Sequence, residues 1–412
     1  MRALRAVTRR AMVAVVVLAV VTSLVVGGTP NAEANPAVSA AQTGERSQLV
    51  SDQVGAELGA VLQGRATARS AGDVDAVLGT LSEFASAELR DTERRSVLQG
   101  GELGVVEWRE TLVEPVVDLS PPDLPSDQLV VAVDRRWRVD GVDTWDRAST
   151  VVYTFQQGSD GWRIVADDTL DRLGLASDRQ LWELTDVEVV RSDRVLVVGD
   201  AGRNRLDAVA EVTSEAIRRF DARWDPEWDR SWAGTVMVVV PDGIRRLEQL
   251  LRPTGDASRF VAFTTLDVDR SEGWDVVAPR IVTQESNLSR RELDRQIEVM
   301  VHELVHVASV RESGPATPLW LHEGFADWVT ASRPVADGEL VFPDLYVFRT
   351  GDVSDISAAY AQAAQTMAVL AGDLGSSAVW ELFERTGDLR SAPGSADHLV
   401  STVIDDLVAA VG

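Results

Sequence analysis

Cysteine is absent from the 412-residue chain, and so is lysine: all 40 basic side chains are arginine. Without cysteine there are no disulfides and no thiol to carry a lipid. Stability must therefore come from packed cores and, where a site exists, from bound metal. Histidine numbers only four and tyrosine three, so each of them is worth placing. Acidic side chains outnumber basic ones 65 to 40, a net charge of −25. A surface of that sign repels nucleic-acid phosphates and anionic lipid, which argues against a nucleic-acid partner. What is present is ordinary for a globular chain, with 45% hydrophobic and 25% charged residues. The length exceeds one compact core and predicts two or three domains. The 12 tryptophans are scattered along the chain rather than set in a repeat.

The N-terminus has a marked pattern. Arg2, Arg5, Arg9 and Arg10 precede an uncharged apolar run over residues 11–26, followed by Gly27, Gly28, Pro30 and the small-x-small triplet Ala32-Glu33-Ala34. That order predicts a secretory signal peptide over residues 1–34 or, left uncut, an N-terminal membrane anchor. The chain is thus expected to be exported, secreted or at the cell surface, with membrane contact only through this segment. Residues 35–45 read as a linker.

Helical apolar spacing covers residues 47–64 and 74–98. Valine- and aromatic-rich runs at 103–112, 128–139, 149–155 and 162–167 follow, separated by Pro121-Pro122, Asp140-Gly141 and Ser159-Asp160-Gly161. Helices followed by strands joined through turn residues predict an α+β domain over residues 46–172. After a helical connector at 178–184, a second domain over 180–412 begins with strands at 187–190 and 195–198. A helix at 203–224, a strand at 235–240, a helix at 244–251 and strands at 260–267 and 275–284 complete a small mixed sheet. The Ala- and Leu-rich stretch 354–411 predicts a C-terminal bundle of three helices, broken at Gly372, Gly375 and Gly387.

The chemistry concentrates in Val301-His302-Glu303-Leu304-Val305-His306. Ser289 and Glu292 form a capping box that predicts a helix start, and Leu293, Ile297, Met300, Val301, Leu304 and Val305 give that helix an apolar face. His302 and His306 stand four apart, so both rings leave one side of the helix and can reach a single ion. Glu303 projects about 100° round from His302, beside the ion rather than on it, where it can take a proton from a metal-bound water. This is the HExxH pattern of zinc proteases, with Zn²⁺ as the cofactor, His302 and His306 as ligands and Glu303 as general base. Such a zinc ion needs a third protein ligand. A second helix, capped by Thr317 with Pro318 at its first position, offers both His322 and Glu323.

Trp320-Leu321-His322-Glu323-Gly324-Phe325-Ala326 resembles the W-L-x-E-G-F-A segment of the gluzincin metallopeptidases, the superfamily of thermolysin-like and aminopeptidase-N-like enzymes. The resemblance implies that Glu323 is the third ligand and that Asp327, one turn later, orients a ligand histidine from behind. It also implies a transition-state tyrosine, for which the position of Ala359-Tyr360-Ala361 makes Tyr360 the candidate, and an edge strand that pairs with substrate, for which residues 276–283 are the candidate by position. His322 is expected to be partly exposed near the cleft, His398 to lie at the surface and Tyr346 to lie in a strand or core. The first domain, with its final Gly161-Trp162-Arg163-Ile164 strand, resembles cystatin-like folds of the nuclear transport factor two type.

Together these readings predict an exported zinc peptidase that acts on peptide or protein substrates. The alternative is a non-catalytic, zinc-stabilised cell-surface binding module. Residues 45–170 would, on another reading, form an inhibitory pro-region.

Overall fold

The computed structural model describes residues 49–173, 177–228, 234–251, 258, 261–269, 275–312, 317–338, 340–341 and 353–387. The expected signal or anchor segment, the linker, Tyr346 and His398 lie outside them. No helix among the described residues is long and apolar enough to cross a membrane. The chain divides into two compact units at Val187/Glu188.

In the first unit, Ser51 caps helix α1 (Asp52–Ser70) by accepting from the Val54 N–H. The expected helix at 74–98 is two helices, α2 (Val74–Leu78) and α3 (Ala87–Leu103). Leu81 enters the core between them and Ser86 caps a fresh start, so the apolar spacing continues across a break. A meander of four antiparallel strands follows, β1 (Val105–Leu112), β2 (Gln128–Val139), β3 (Arg147–Gly158) and β4 (Gly161–Ala166), in spatial order β1-β2-β3-β4. The sheet curls into a half-barrel around Leu58 and Leu62 of α1 and Leu89 of α3, which pack on Val131, Val133, Val151, Phe155 and Ile164. This is the α+β architecture expected.

The interior of this unit is less apolar than its pattern predicts. Arg65, Arg69, Arg135, Glu93, Glu110 and Glu183 are all buried. Three cations meet three carboxylates, with Arg65 and Arg69 both on Glu93, Arg65 Nε 3.1 Å from Glu110 Oε2 and Arg135 Nη1 2.7 Å from Glu183 Oε1. Burial works against the charge on Glu93, but Arg65 and Arg69 outweigh it and bring its pKa down to about 2. Buried charges persist only when paired in this way. Glu183 lies on the one-turn helix α4 (Leu181–Leu184), whose Trp182 meets Trp137 edge-on, ring centroids 5.2 Å apart. The connector is therefore part of the first unit's core.

The second unit holds a five-stranded mixed sheet in the order β5-β6-β7-β9-β8, from β5 (Glu188–Arg191), β6 (Val195–Gly199), β7 (Val236–Val240), β8 (Ala262–Asp269) and β9 (Asp275–Thr283). β6, β7 and β9 run parallel, and β5 and β8 are antiparallel to their neighbours. Helices α5 (Arg203–Arg223) and α6 (Gly243–Leu251) follow β6 and β7. After the single turn α7 (Glu285–Leu288) come α8 (Leu293–Ser309), α9 (Leu319–Thr330), α10 (Val353–Leu374) and α11 (Ser376–Gly387).

Four details differ from expectation. Ser289 ends α7, which buries Leu288, and α8 starts after Glu292 instead. Pro318, in extended conformation, is the residue before α9, one position later than expected. Gly372 does not break α10; a Cβ there would sit 2.6 Å from the Ala336 carbonyl oxygen, so this glycine serves a close approach. Finally, residues 276–283 are not an edge. β9 is flanked by β7 and β8, and among the described residues β8 is the edge strand on that side of the sheet, with β5 at the other. Pro279 is tolerated inside the sheet because β7 pairs only with Ile281 and Val282, and a bulge interrupts the β8 ladder beside it.

Candidate metal centre

Helix α8 is amphipathic only at its start. Leu293 is exposed, whereas every residue from Val299 to Ser309 except His302 is buried, because α8 packs against β8, β9, α5 and α9. Such a buried helix holds its side chains in fixed rotamers, which suits a site that needs atoms in set places. His302 and His306 leave it one turn apart, with their Nε2 atoms 3.1 Å from each other.

Helix α9 brings the carboxylates. Glu323 Oε2 lies 3.2 Å from His302 Nε2 and 3.6 Å from His306 Nε2. One turn later Asp327 Oδ1 accepts from His302 Nδ1 at 2.8 Å. With Nδ1 carrying that proton, Nε2 is the atom left to bind. Three ligands in tetrahedral geometry at about 2.0–2.1 Å from zinc stand about 3.3–3.4 Å apart. The three separations here, 3.1, 3.2 and 3.6 Å, scatter around that value. His302, His306 and Glu323 therefore fit a metal, and they form the one potential metal-holding group of this kind among the described residues.

The electrostatics agree. Burial opposes charge on Glu323, but His306 and His302 outweigh it and hold its pKa at about 2, so the ligand is a carboxylate at any ordinary pH. Burial would lower the His302 pKa, but Asp327 and then Glu323 raise it well above the usual value. In the doubly protonated ring the Nε2 proton, which faces Glu323, stands where a metal would bind, so protons compete with metal for that position. Glu303 is 2% exposed, and that burial raises its pKa, offset by both histidines and by Thr264, whose hydroxyl donates to Glu303 Oε2 at 2.9 Å. A carboxylate with a raised pKa holds a proton more readily than a solvated one. Solvent reaches the group from the His302 side: its side chain is 14% exposed against 9% for His306 and 0% for Glu323.

Tyr360 feels the charges of the site. It is buried on α10, where burial and then the Glu323 and Asp327 carboxylates hold its pKa well above the ordinary phenol value and keep it a neutral donor. Its placement depends on Gly324. A Cβ at that position would lie 2.8 Å from the main-chain carbonyl of Ala363, one turn after Tyr360, so α9 and α10 touch backbone to backbone. Helix propensity alone makes Gly→Ala stabilising by about 1 kcal/mol. Overpacking against a main chain that cannot swing away costs about 1–3 kcal/mol and decides the sign. Gly324→Ala is therefore expected to lower the melting temperature and weaken metal binding together. A variant that melts higher than the parent would contradict this packing.

His322 is half-buried and meets Phe383 edge-on, centroids 5.2 Å apart, with burial and then His306 pushing its pKa down to about 4. It stands outside the metal-holding group. Two supports were not legible in the sequence. One is Thr264, which carried no motif. The other is an aromatic cluster around α9, in which Trp224 and Trp228 meet Phe325, Trp328 and Trp380, and Phe383 packs on Phe325. Trp228 and Trp380 stack 5.4 Å apart, so tryptophans scattered in sequence converge to fix the helix that carries Glu323.

No protein-family model, curated protein or solved structure matches the chain, and the centre is characterised by its own geometry.

Proposed function

We propose that the chain is an exported zinc-dependent peptidase of gluzincin type, with His302, His306 and Glu323 holding one Zn²⁺. The observation that carries the reading is the triangle of ligand atoms with a buried, hydrogen-bonded Glu303 on the same helix turn. A purely structural site has no need of a base and fills its fourth position with another side chain. That favours catalysis over the alternative of a zinc-stabilised binding module.

Bound zinc would lower the pKa of a water ligand and polarise the carbonyl of the scissile bond. Glu303 takes the proton from the attacking water and returns it to the departing amine. Asp327 fixes the His302 ring so that Nε2 faces inward. Tyr360 is the proposed donor to the developing oxyanion, and Tyr360→Phe is expected to lower kcat about 10²-fold with zinc retained. β8, rather than β9, is the strand whose outer edge would pair with extended substrate, and main-chain pairing tolerates varied sequences.

The test is cleavage of an unstructured protein such as casein by the purified chain. The expected activity disappears on chelation and returns with zinc. Cleavage untouched by chelator, or a zinc-loaded chain without any cleavage, would refute the peptidase reading.

A further inference from the structure

We propose that Thr264 is a positioning residue for the base: its hydroxyl on β8 holds one oxygen of Glu303 and so leaves the other free to face the place a metal-bound water would take. This rests on the peptidase reading above. Thr264 is 7% exposed, and its Oγ1 lies 2.9 Å from Glu303 Oε2 and 3.2 Å from the Glu303 carbonyl oxygen. A hydroxyl has one proton to give, and both acceptors within reach belong to the same residue. The contact therefore ties a strand to one residue of the neighbouring helix, through its carboxylate and its main-chain carbonyl. A buried carboxylate with a single good donor has its rotamer set by that donor, and its second oxygen is left for other work.

The main chain of Thr264 has a separate task. Gln284 N–H donates to the Val261 carbonyl at 2.9 Å, and Thr264 lies opposite Ile281 in the same ladder. Antiparallel pairs alternate between hydrogen-bonded and non-hydrogen-bonded, which turns the Thr264 N–H and C=O away from β9 toward the outer edge of β8. One residue thus presents its backbone where a substrate strand would pair and its side chain to the base. Substitution of the side chain should leave the backbone edge intact, so the two roles separate in kinetics.

Thr264→Val keeps the shape and β-branching and removes only the hydroxyl, and Thr264→Ser keeps the hydroxyl. The expected result is a kcat lowered about 10–100-fold in Thr264→Val, with KM and zinc content within about threefold of the parent, and kcat restored within about fivefold in Thr264→Ser. A second readout needs no activity. In the zinc-stripped chain, Thr264→Val should lower the melting temperature more when Glu303 is present than in a Glu303→Leu background, where the hydroxyl keeps only the main-chain carbonyl of residue 303 as acceptor. Equal shifts in both backgrounds would overturn the contact. A normal kcat in Thr264→Val, or a fall not restored by serine, would overturn the positioning role. If the parent chain cleaves nothing, the peptidase reading fails, and the melting cycle still decides for or against the Thr264–Glu303 tie.

Discussion

Glu303→Gln is expected to slow peptide hydrolysis about 10²–10⁴-fold while the chain keeps its full complement of zinc. The reason lies in what the substitution leaves alone. Glutamine has the shape of glutamate and can still accept from the Thr264 hydroxyl, so the packing around a 2%-exposed side chain persists. The metal ligands on either side, His302 and His306, are untouched. What vanishes is the capacity to take up and return a proton, because an amide is not a base near neutral pH. The measurement pairs zinc content with single-turnover cleavage. Full zinc with full activity would remove Glu303 from the mechanism.

Glu323→Ala is expected to act on the other side of that division and to release the metal. Glu323 is the only carboxylate of the ligand set, is completely buried, and is held ionised with a pKa of about 2 by the two histidines. Residues behind metal ligands cost about 10–100-fold in metal affinity when lost, so the loss for a direct ligand should exceed about 10²-fold. The two remaining imidazoles cannot complete a tetrahedral site. Titration with zinc followed by calorimetry reads the change directly. A Glu323→Ala chain that binds zinc as tightly as its parent would place the third ligand elsewhere, with His322 the residue to test.

How much of this could be read from the chain depends on the reach of each feature. The spacing of His302, Glu303 and His306 is local to one helix and was legible as a pattern of 3.6 residues per turn, whereas Glu323 and Asp327 were marked by the resemblance of residues 320–326 to the gluzincin segment. Strand positions were legible for the same reason, through alternation and turn residues. What the sequence hid is what depends on packing between distant segments. β9 was the edge candidate by its position ahead of the histidine helix, and only the limited extent of β7 pairing and a bulge explain how Pro279 sits inside the sheet. Gly372 looked like a break because a helix interior has no intrinsic use for glycine, but the use is the Ala336 carbonyl pressed against it. Arg65, Arg69, Arg135, Glu93, Glu110 and Glu183 carry no local pattern, and they are paired only once the sheet curls over them. Thr264 is one threonine among many until β8 is laid on α8.

The centre itself is tested most directly by zinc stoichiometry combined with X-ray absorption at the zinc edge. The purified chain should bind one zinc per molecule with two imidazole nitrogens and carboxylate and water oxygens at about 2.0–2.2 Å. His302→Ala should abolish that signal. A chain that binds no zinc at micromolar metal, or whose zinc spectrum is unchanged in His302→Ala, would contradict the assignment.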